Sequence, residues 1–351
     1  MSQKHHRSLS ILFQLGGLIL AVLFITLILF LVGANPLEVF RLIWVGATGS
    51  STRMASVFVV WIPLVLVTCG LLITFTAGLW NIGIEGQITL GAILTTGVIR
   101  LFLDTSTPPV VVIVLSILAG MLGGAIWAAL AGILKTYGGV NEIFGGLGLN
   151  FIATALNIGL IFGAWSRTGV ASMSGTEPFP EIYWLPTMNS FGLSWYSIAL
   201  SVIGLVIIFF LLQGTHFGLR LKAVGKGLKS AFRLGIPTRQ HMMMAFILCG
   251  LFAGLTGALQ VVAVYHRLIP SISSGYGFLG LMVGMLINYQ AIWIAPVALF
   301  FAALNIGGIQ LPIVLKLDSS LTGVLQGSLV LFILLMQGVR QRLLGKKQVI
   351  E

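Results

Sequence analysis

Ten apolar runs of about twenty residues follow one another along this chain, with short polar breaks between them. They lie near 9–32, 55–76, 84–103, 109–135, 143–164, 195–213, 241–264, 275–290, 291–309 and 320–339. A helix of roughly 20 residues crosses the hydrocarbon core of a bilayer, and a chain that repeats this length has to satisfy its backbone inside helices. Charged residues make up only 8% of the sequence, against about 25% in a soluble protein. The pattern therefore predicts an all-α integral membrane protein of about ten transmembrane helices. Residues 1–351 form a single polytopic domain on this reading. The run at 9–32 is too long for a signal-peptide core, so it reads as a retained first helix.

The positions of the charges set the expected topology. Cytoplasmic segments are enriched in Lys and Arg. With ten spans both termini lie on one side. Placing them in the cytoplasm puts thirteen of the 19 basic residues there: Lys4, Arg7, Lys135, six in 214–240, and Arg340, Arg342, Lys346 and Lys347. Arg41, Arg53, Arg100, Arg167, Arg267 and Lys316 then lie outside or at the outer boundary. The net charge of +11 is thus an orientation signal in a cell membrane and not a nucleic-acid footprint. Two extracytoplasmic loops are expected, near 33–54 and 165–195. The first suits a short interfacial helix. Trp165, Trp184 and Trp195 suit an interfacial belt at the second.

The segment from Gly214 to Gln240 is the longest polar stretch. It holds Arg220, Lys222, Lys226, Lys229, Arg233 and Arg239, and no acid. A helix-like core at Leu228–Leu234 ends at Gly235 and Pro237. Gly225-Lys-Gly-Leu-Lys-Ser230 is no phosphate loop, because position 220 is Arg and Gly227 follows Lys226. Cys69 and Cys249 sit in apolar runs and imply no disulfide framework. No metal-ligand spacing, cofactor motif or catalytic constellation is present.

Polar groups inside spans are expensive and mark sites or interhelical bonds. Asn81, Glu85 and Gln87 surround a glycine-rich start to the third span, which predicts a broken or re-entrant helix. Asn81 and Glu85, four apart, share a face if the stretch is helical. Asn141 and Glu142 open the fifth span, where an acid also favours the helix dipole. Asn150 and Asn288 are further candidates for a polar route, although each alone is more often an interhelical hydrogen bond. Gly120/Gly124, Gly250/Gly254 and Gly280/Gly284 are spaced for close helix packing.

Four blocks carry a family resemblance. Asn81-Ile-Gly-Ile-Glu-Gly-Gln87 with Gly91 resembles the signature of ABC importer permeases of the branched-chain amino acid, simple sugar and nucleoside superfamily. Gly139-Val-Asn-Glu-Ile143 with Leu149-Asn150 resembles its nucleoside-type branch. Phe217-Gly-Leu-Arg-Leu-Lys-Ala-Val-Gly225, with Ala231, Arg233, Gly235 and Ile236, resembles the cytoplasmic coupling segment. Gly254-Leu-Thr-Gly-Ala258 with Gly275-Tyr-Gly-Phe278 resembles the second half. The resemblance implies two inverted halves and a cytoplasmic coupling helix. It implies cytoplasmic ATP-binding subunits, a second permease subunit in a homo- or heterodimer, and an extracytoplasmic solute-binding lipoprotein. The solute implied is small and polar, a nucleoside or a simple sugar, and the chain itself is no enzyme. Asn81, Glu85, Gln87, Asn141, Glu142, Asn150 and Asn288 would line or shape the pathway. Lys222, Leu228, Lys229, Ala231, Phe232, Arg233, Leu234 and Gly235 would couple to the ATPase. An ion-coupled secondary transporter using Glu85 and Glu142, or a polytopic membrane enzyme, are the alternatives.

Overall fold

The structure is a computed structural model that describes residues 3–167, 175–188, 192–288 and 290–348. Parts of the expected 165–195 loop, and Tyr289, lie outside the described residues. Among the described residues the fold is all-helical. The helices are α1 (Gln3–Leu31), α2 (Pro36–Thr48), α3 (Ser51–Thr76), α4 (Ile84–Phe102), α5 (Pro109–Thr136), α6 (Glu142–Phe162) and α7 (Trp195–Gly214). Then come α8 (His216–Lys226), α9 (Leu228–Arg233), α10 (Thr238–Leu259), α11 (Tyr276–Leu286), α12 (Ile294–Gly308), α13 (Gln310–Leu315) and α14 (Ser320–Gln348). A π-helical segment, Gln260–Tyr265, extends α10.

Seven helical stretches among the described residues are long and apolar enough to cross a membrane. They are α3, α5, α6, α7, α10 with its π segment, the α12–α13 stretch and α14. The others that sequence periodicity expects fall short for local reasons. Between α1 and α2 the apolar path bends by 108°, where Gly33 takes φ +78° and Pro36 starts the next helix. Asn35 caps that helix, its side chain accepting from Leu37 N at 3.0 Å. Helix α4 carries Glu85, Gln87 and Arg100 in 19 residues. Helix α11 has only 11 residues, or about 17 Å of rise.

The chain divides into two compact units, Met1–Val57 with Leu299–Glu351, and Phe58–Ala298. In the first, α1 lies along α14. Gly17 lets the backbones approach, because a Cβ there would stand 2.9 Å from Ile333 Cα. The Phe24 and Phe332 rings meet at 5.2 Å.

In the second unit, α3 is buried on every side from Ile62 to Phe75, as an all-round apolar helix must be. Helices α4, α5 and α10 cross at glycines. A Cβ on Gly91 would meet Gly254 Cα at 2.6 Å, and one on Gly124 would meet the same atom at 2.6 Å. Small residues at such crossings let dispersion and backbone contact hold helices together in lipid. On one edge the 175–188 segment is strapped to the end of α10. Phe179 N donates to His266 O at 2.8 Å and Leu185 N to Val262 O at 2.9 Å. His266 takes φ 55° and stacks on Trp184 at 3.8 Å, and burial pushes its imidazole below the usual range.

Candidate functional site

The chain breaks helix at Ala77–Gly83 because Gly78 takes φ +73°. This turn delivers Asn81 ahead of α4 rather than onto it. The stretch Ala77–Gly83 is not helical, so the condition under which Asn81 and Glu85 would share a face is not met. Asn81 instead pairs face to face with Gln87: Asn81 Nδ2 donates to Gln87 Oε1 at 3.0 Å, and Gln87 Nε2 donates to Asn81 Oδ1 at 2.9 Å. Asn81 Nδ2 also reaches Cys249 Sγ of α10 at 3.1 Å. Both amides are fully enclosed.

Asn150 of α6 completes the same knot. Its Oδ1 accepts from Gly86 N at 2.8 Å, and its Nδ2 donates to Ile82 O at 2.9 Å. One amide thus satisfies a helix-start N–H that has no partner inside α4. The approach is possible because Gly83 and Gly146 touch, a Cβ on Gly146 standing 2.6 Å from Gly83 N. Glu85 Oε1 accepts from Phe278 N at 3.0 Å, which ties the start of α4 to the start of α11. Asn81, Glu85, Gln87 and Asn150 are therefore brought together, buried and hydrogen-bonded.

The other candidates stand apart from this knot. Glu142 pairs with Lys135 at 2.5 Å across the α5–α6 turn. Asn141 caps α6, its Oδ1 accepting from Ile143 N at 2.9 Å. Asn288 is exposed at φ 51° just past α11 and joins no cluster. Neither acid is positioned as a free ion site. Periodicity missed Cys249, Lys135 and the Phe278 N–H as partners, since each lies on a different helix from the group it meets. A cavity of about 860 Å³ between α5, α7 and α10 is lined by Val110, Leu118, Ile203, Phe252 and similar groups without a charge, so it does not suit a polar solute.

The basic segment is folded as two helices. Helix α8 is capped by Thr215, whose Oγ1 accepts from Gly218 N at 3.1 Å. Its Gly225 lies backbone to backbone against the turn before α4, where a Cβ on Gly78 would stand 3.2 Å from Gly225 O. Helix α9 turns Ala231 inward at 0% exposure and turns Leu228 and Phe232 outward at 46 and 71%, and Leu234, which ends it, is exposed at 77%. Lys222, Lys229, Arg233 and Gly235 are also exposed. The result is an apolar patch rimmed by cations, one short step along the backbone from the polar knot.

Comparison with known proteins agrees with this architecture. The family model described as branched-chain amino acid transport system / permease component matches residues 53–334. The glucose ABC transporter permease protein of Haloferax volcanii is 27% identical over 86% of this chain and 80% of its own length. The guanosine ABC transporter permease protein of Bacillus subtilis is 24% identical over 92% of each chain. A nucleoside ABC transporter permease protein of Lactococcus lactis is 24% identical over 86% of this chain and 85% of its own. The chain belongs to the family of branched-chain amino acid transport system permease components: it is the membrane permease subunit of an ABC importer, which moves a solute and catalyses no reaction on it.

Proposed function

We propose that this permease imports a nucleoside, or another small solute built on a hydroxylated sugar ring, with ATP hydrolysed on partner subunits. The solute class rests on relatives named for guanosine, nucleosides and glucose, whose common chemistry is a sugar ring. The observation that carries the coupling is the exposed apolar triad at α9, Leu228, Phe232 and Leu234. On this reading α9 docks in a groove of a cytoplasmic ATP-binding subunit. Lys222, Lys229 and Arg233 pair with acids at its rim. Closure of the ATPase pair moves α8 and α9 together. Gly225 then bears on the Thr76–Gly78 turn, and the knot of Asn81, Glu85, Gln87 and Asn150 moves as a rigid block that reshapes the pathway. Transport is a population shift between inward- and outward-open states. Asn141, Glu142 and Asn288 have supporting places at the cytoplasmic ends. A second permease subunit and an extracytoplasmic solute-binding lipoprotein complete the assembly.

The test is uptake by the reconstituted complex. Guanosine should accumulate only with ATP and with the binding protein present. Uptake that proceeds without an ATPase subunit would return the ion-coupled reading.

The same reading makes residues 1–351 one permease domain with ten spans, formed by α1, α3 to α7, α10, α11, α12 and α14, and both termini cytoplasmic. Cys69 and Cys249 are fully buried, so single introduced thiols report without background. An impermeant maleimide on intact cells should label Ser106→Cys and leave Ser230→Cys unmodified until the membrane is opened. Labelling of position 230 from outside would reverse the orientation.

A further inference from the structure

Among the described residues of the Phe58–Ala298 unit, two buried amides, Asn157 and Gln260, leave their side-chain oxygen without a partner, and Gln260 is the one that lies on a cavity with other unpartnered groups. Its side chain is 1% exposed, and its Oε1 has no hydrogen-bond partner. Ser194 and Ser197, at 2 and 4% exposure, have hydroxyls in the same condition. These three groups line one small cavity, with Ile62 and Pro63 of α3 and Thr256 of α10. Thr256 already donates to Phe252 O at 3.0 Å and keeps its acceptor lone pairs. Unmet buried polar groups cost free energy and call for an explanation in each case.

The position has a second unusual feature. Gln260 begins the π-helical segment, and π turns concentrate at functional sites. The 175–188 strap is anchored to that segment through Leu185 N to Val262 O at 2.9 Å.

We propose that Ser194, Ser197 and Gln260 bind one hydroxylic oxygen, supplied either by a water molecule or by a hydroxyl of the transported solute. The volume decides the size: the cavity measures about 10 Å³, near the roughly 10–15 Å³ that one water needs by the same measure. The donor set decides the chemistry. Gln260 Oε1 only accepts, so the ligand must donate an O–H. The serine hydroxyls both donate and accept, so a ligand that also accepts satisfies their protons. A carboxylate has no proton for Gln260 Oε1, and an ammonium would bring an uncompensated charge into a lining that holds no acid. Water and an alcohol avoid both faults. The solute source rests on the proposed transport of a hydroxylated sugar ring, whereas the water source is independent of it.

The experiment uses the complete transporter with Gln260→Met, which keeps length and removes the acceptor, and Ser197→Ala, a smaller change that stands in if the first does not accumulate. Uptake of guanosine is compared with that of 2′,3′-dideoxyguanosine, and the purified permease is melted and imaged at high resolution. A solute hydroxyl is the ligand if the guanosine KM rises roughly tenfold, about one buried hydrogen bond, while the dideoxy KM does not move. A water is the ligand if both KM values hold, the Tm falls by about 2–4 °C, and a density peak within hydrogen-bond reach of Gln260 Oε1 vanishes in the variant. Unchanged KM and Tm in both variants overturn the site, as does a map in which Gln260 Oε1 bonds a protein group and no peak is present. If the wild-type complex takes up no guanosine, the nucleoside reading fails, and melting with imaging still decides the site.

Discussion

Phe232→Ala should abolish ATP-driven uptake while the permease stays in the membrane at normal abundance. The ring is 71% exposed, so truncating it removes little packing within the chain. Helix α9 keeps its own anchor, because Ala231 is fully buried and Ile236 N still donates to Ala231 O at 3.1 Å. What the truncation removes is contact with a partner. A buried aromatic anchor at an interface typically costs about 2 kcal/mol or more when cut to Ala, which is roughly a thirtyfold loss of affinity. Lys229→Ala should cost far less, because an exposed ion pair contributes about 0–1 kcal/mol. Pull-down of the cognate ATPase by the two variants gives the comparison directly. Equal retention of ATPase by Phe232→Ala and wild type, with uptake intact, would leave the basic segment as an orientation signal alone.

The sequence made the helices legible because lipid imposes a length on each of them. Runs such as 109–135 and 195–213 match α5 and α7 to within a residue or two. The expectation of ten spans was drawn from the same rule, and seven stretches meet it by length and apolarity. The rule weakens where function dilutes the run, as Glu85 and Gln87 do in α4, or where a span is short, as α11 is. The polar candidates were legible as a set, since polar groups in apolar runs stand out. Their partners were not. Cys249 is 168 positions from Asn81, and Phe278 is 193 from Glu85. No local period encodes such pairs, and the 3.6-residue repeat does not apply to Asn81, because the chain leaves helix at Gly78 before it. Gln260 was invisible for the opposite reason. It lies in an apolar run, and its interest is a bond it does not make, which only coordinates can reveal.

Gly254→Val should remove the permease from the membrane altogether. At Gly254 three helices meet without side chains between them. A Cβ there would stand 2.9 Å from Met121 Cα on α5, and a Cβ on Gly91 of α4 would stand 2.6 Å from Gly254 Cα. Neither neighbour is a flexible side chain that can step away. Both are backbone, fixed by their own helical hydrogen bonds, so the helices must separate along their length. Overpacking a close-packed site usually costs about 1–3 kcal/mol and occasionally more. A valine at a backbone crossing belongs at the upper end, and loss of the crossing exposes Gly120, Gly124 and Gly250 together. The contrast is Glu85→Gln. The new carboxamide oxygen can still accept from Phe278 N, so the α4–α11 tie survives and abundance should stay near wild type. Uptake is then the informative measurement. A Glu85→Gln permease that accumulates normally and transports poorly has lost something the fold does not need, which assigns the carboxylate charge to the pathway. Parallel loss of abundance and uptake would assign Glu85 to packing, alongside the glycines. Normal accumulation of Gly254→Val, read by quantitative blotting of the membrane fraction, would mean that the three-helix crossing is looser than its backbone distances require.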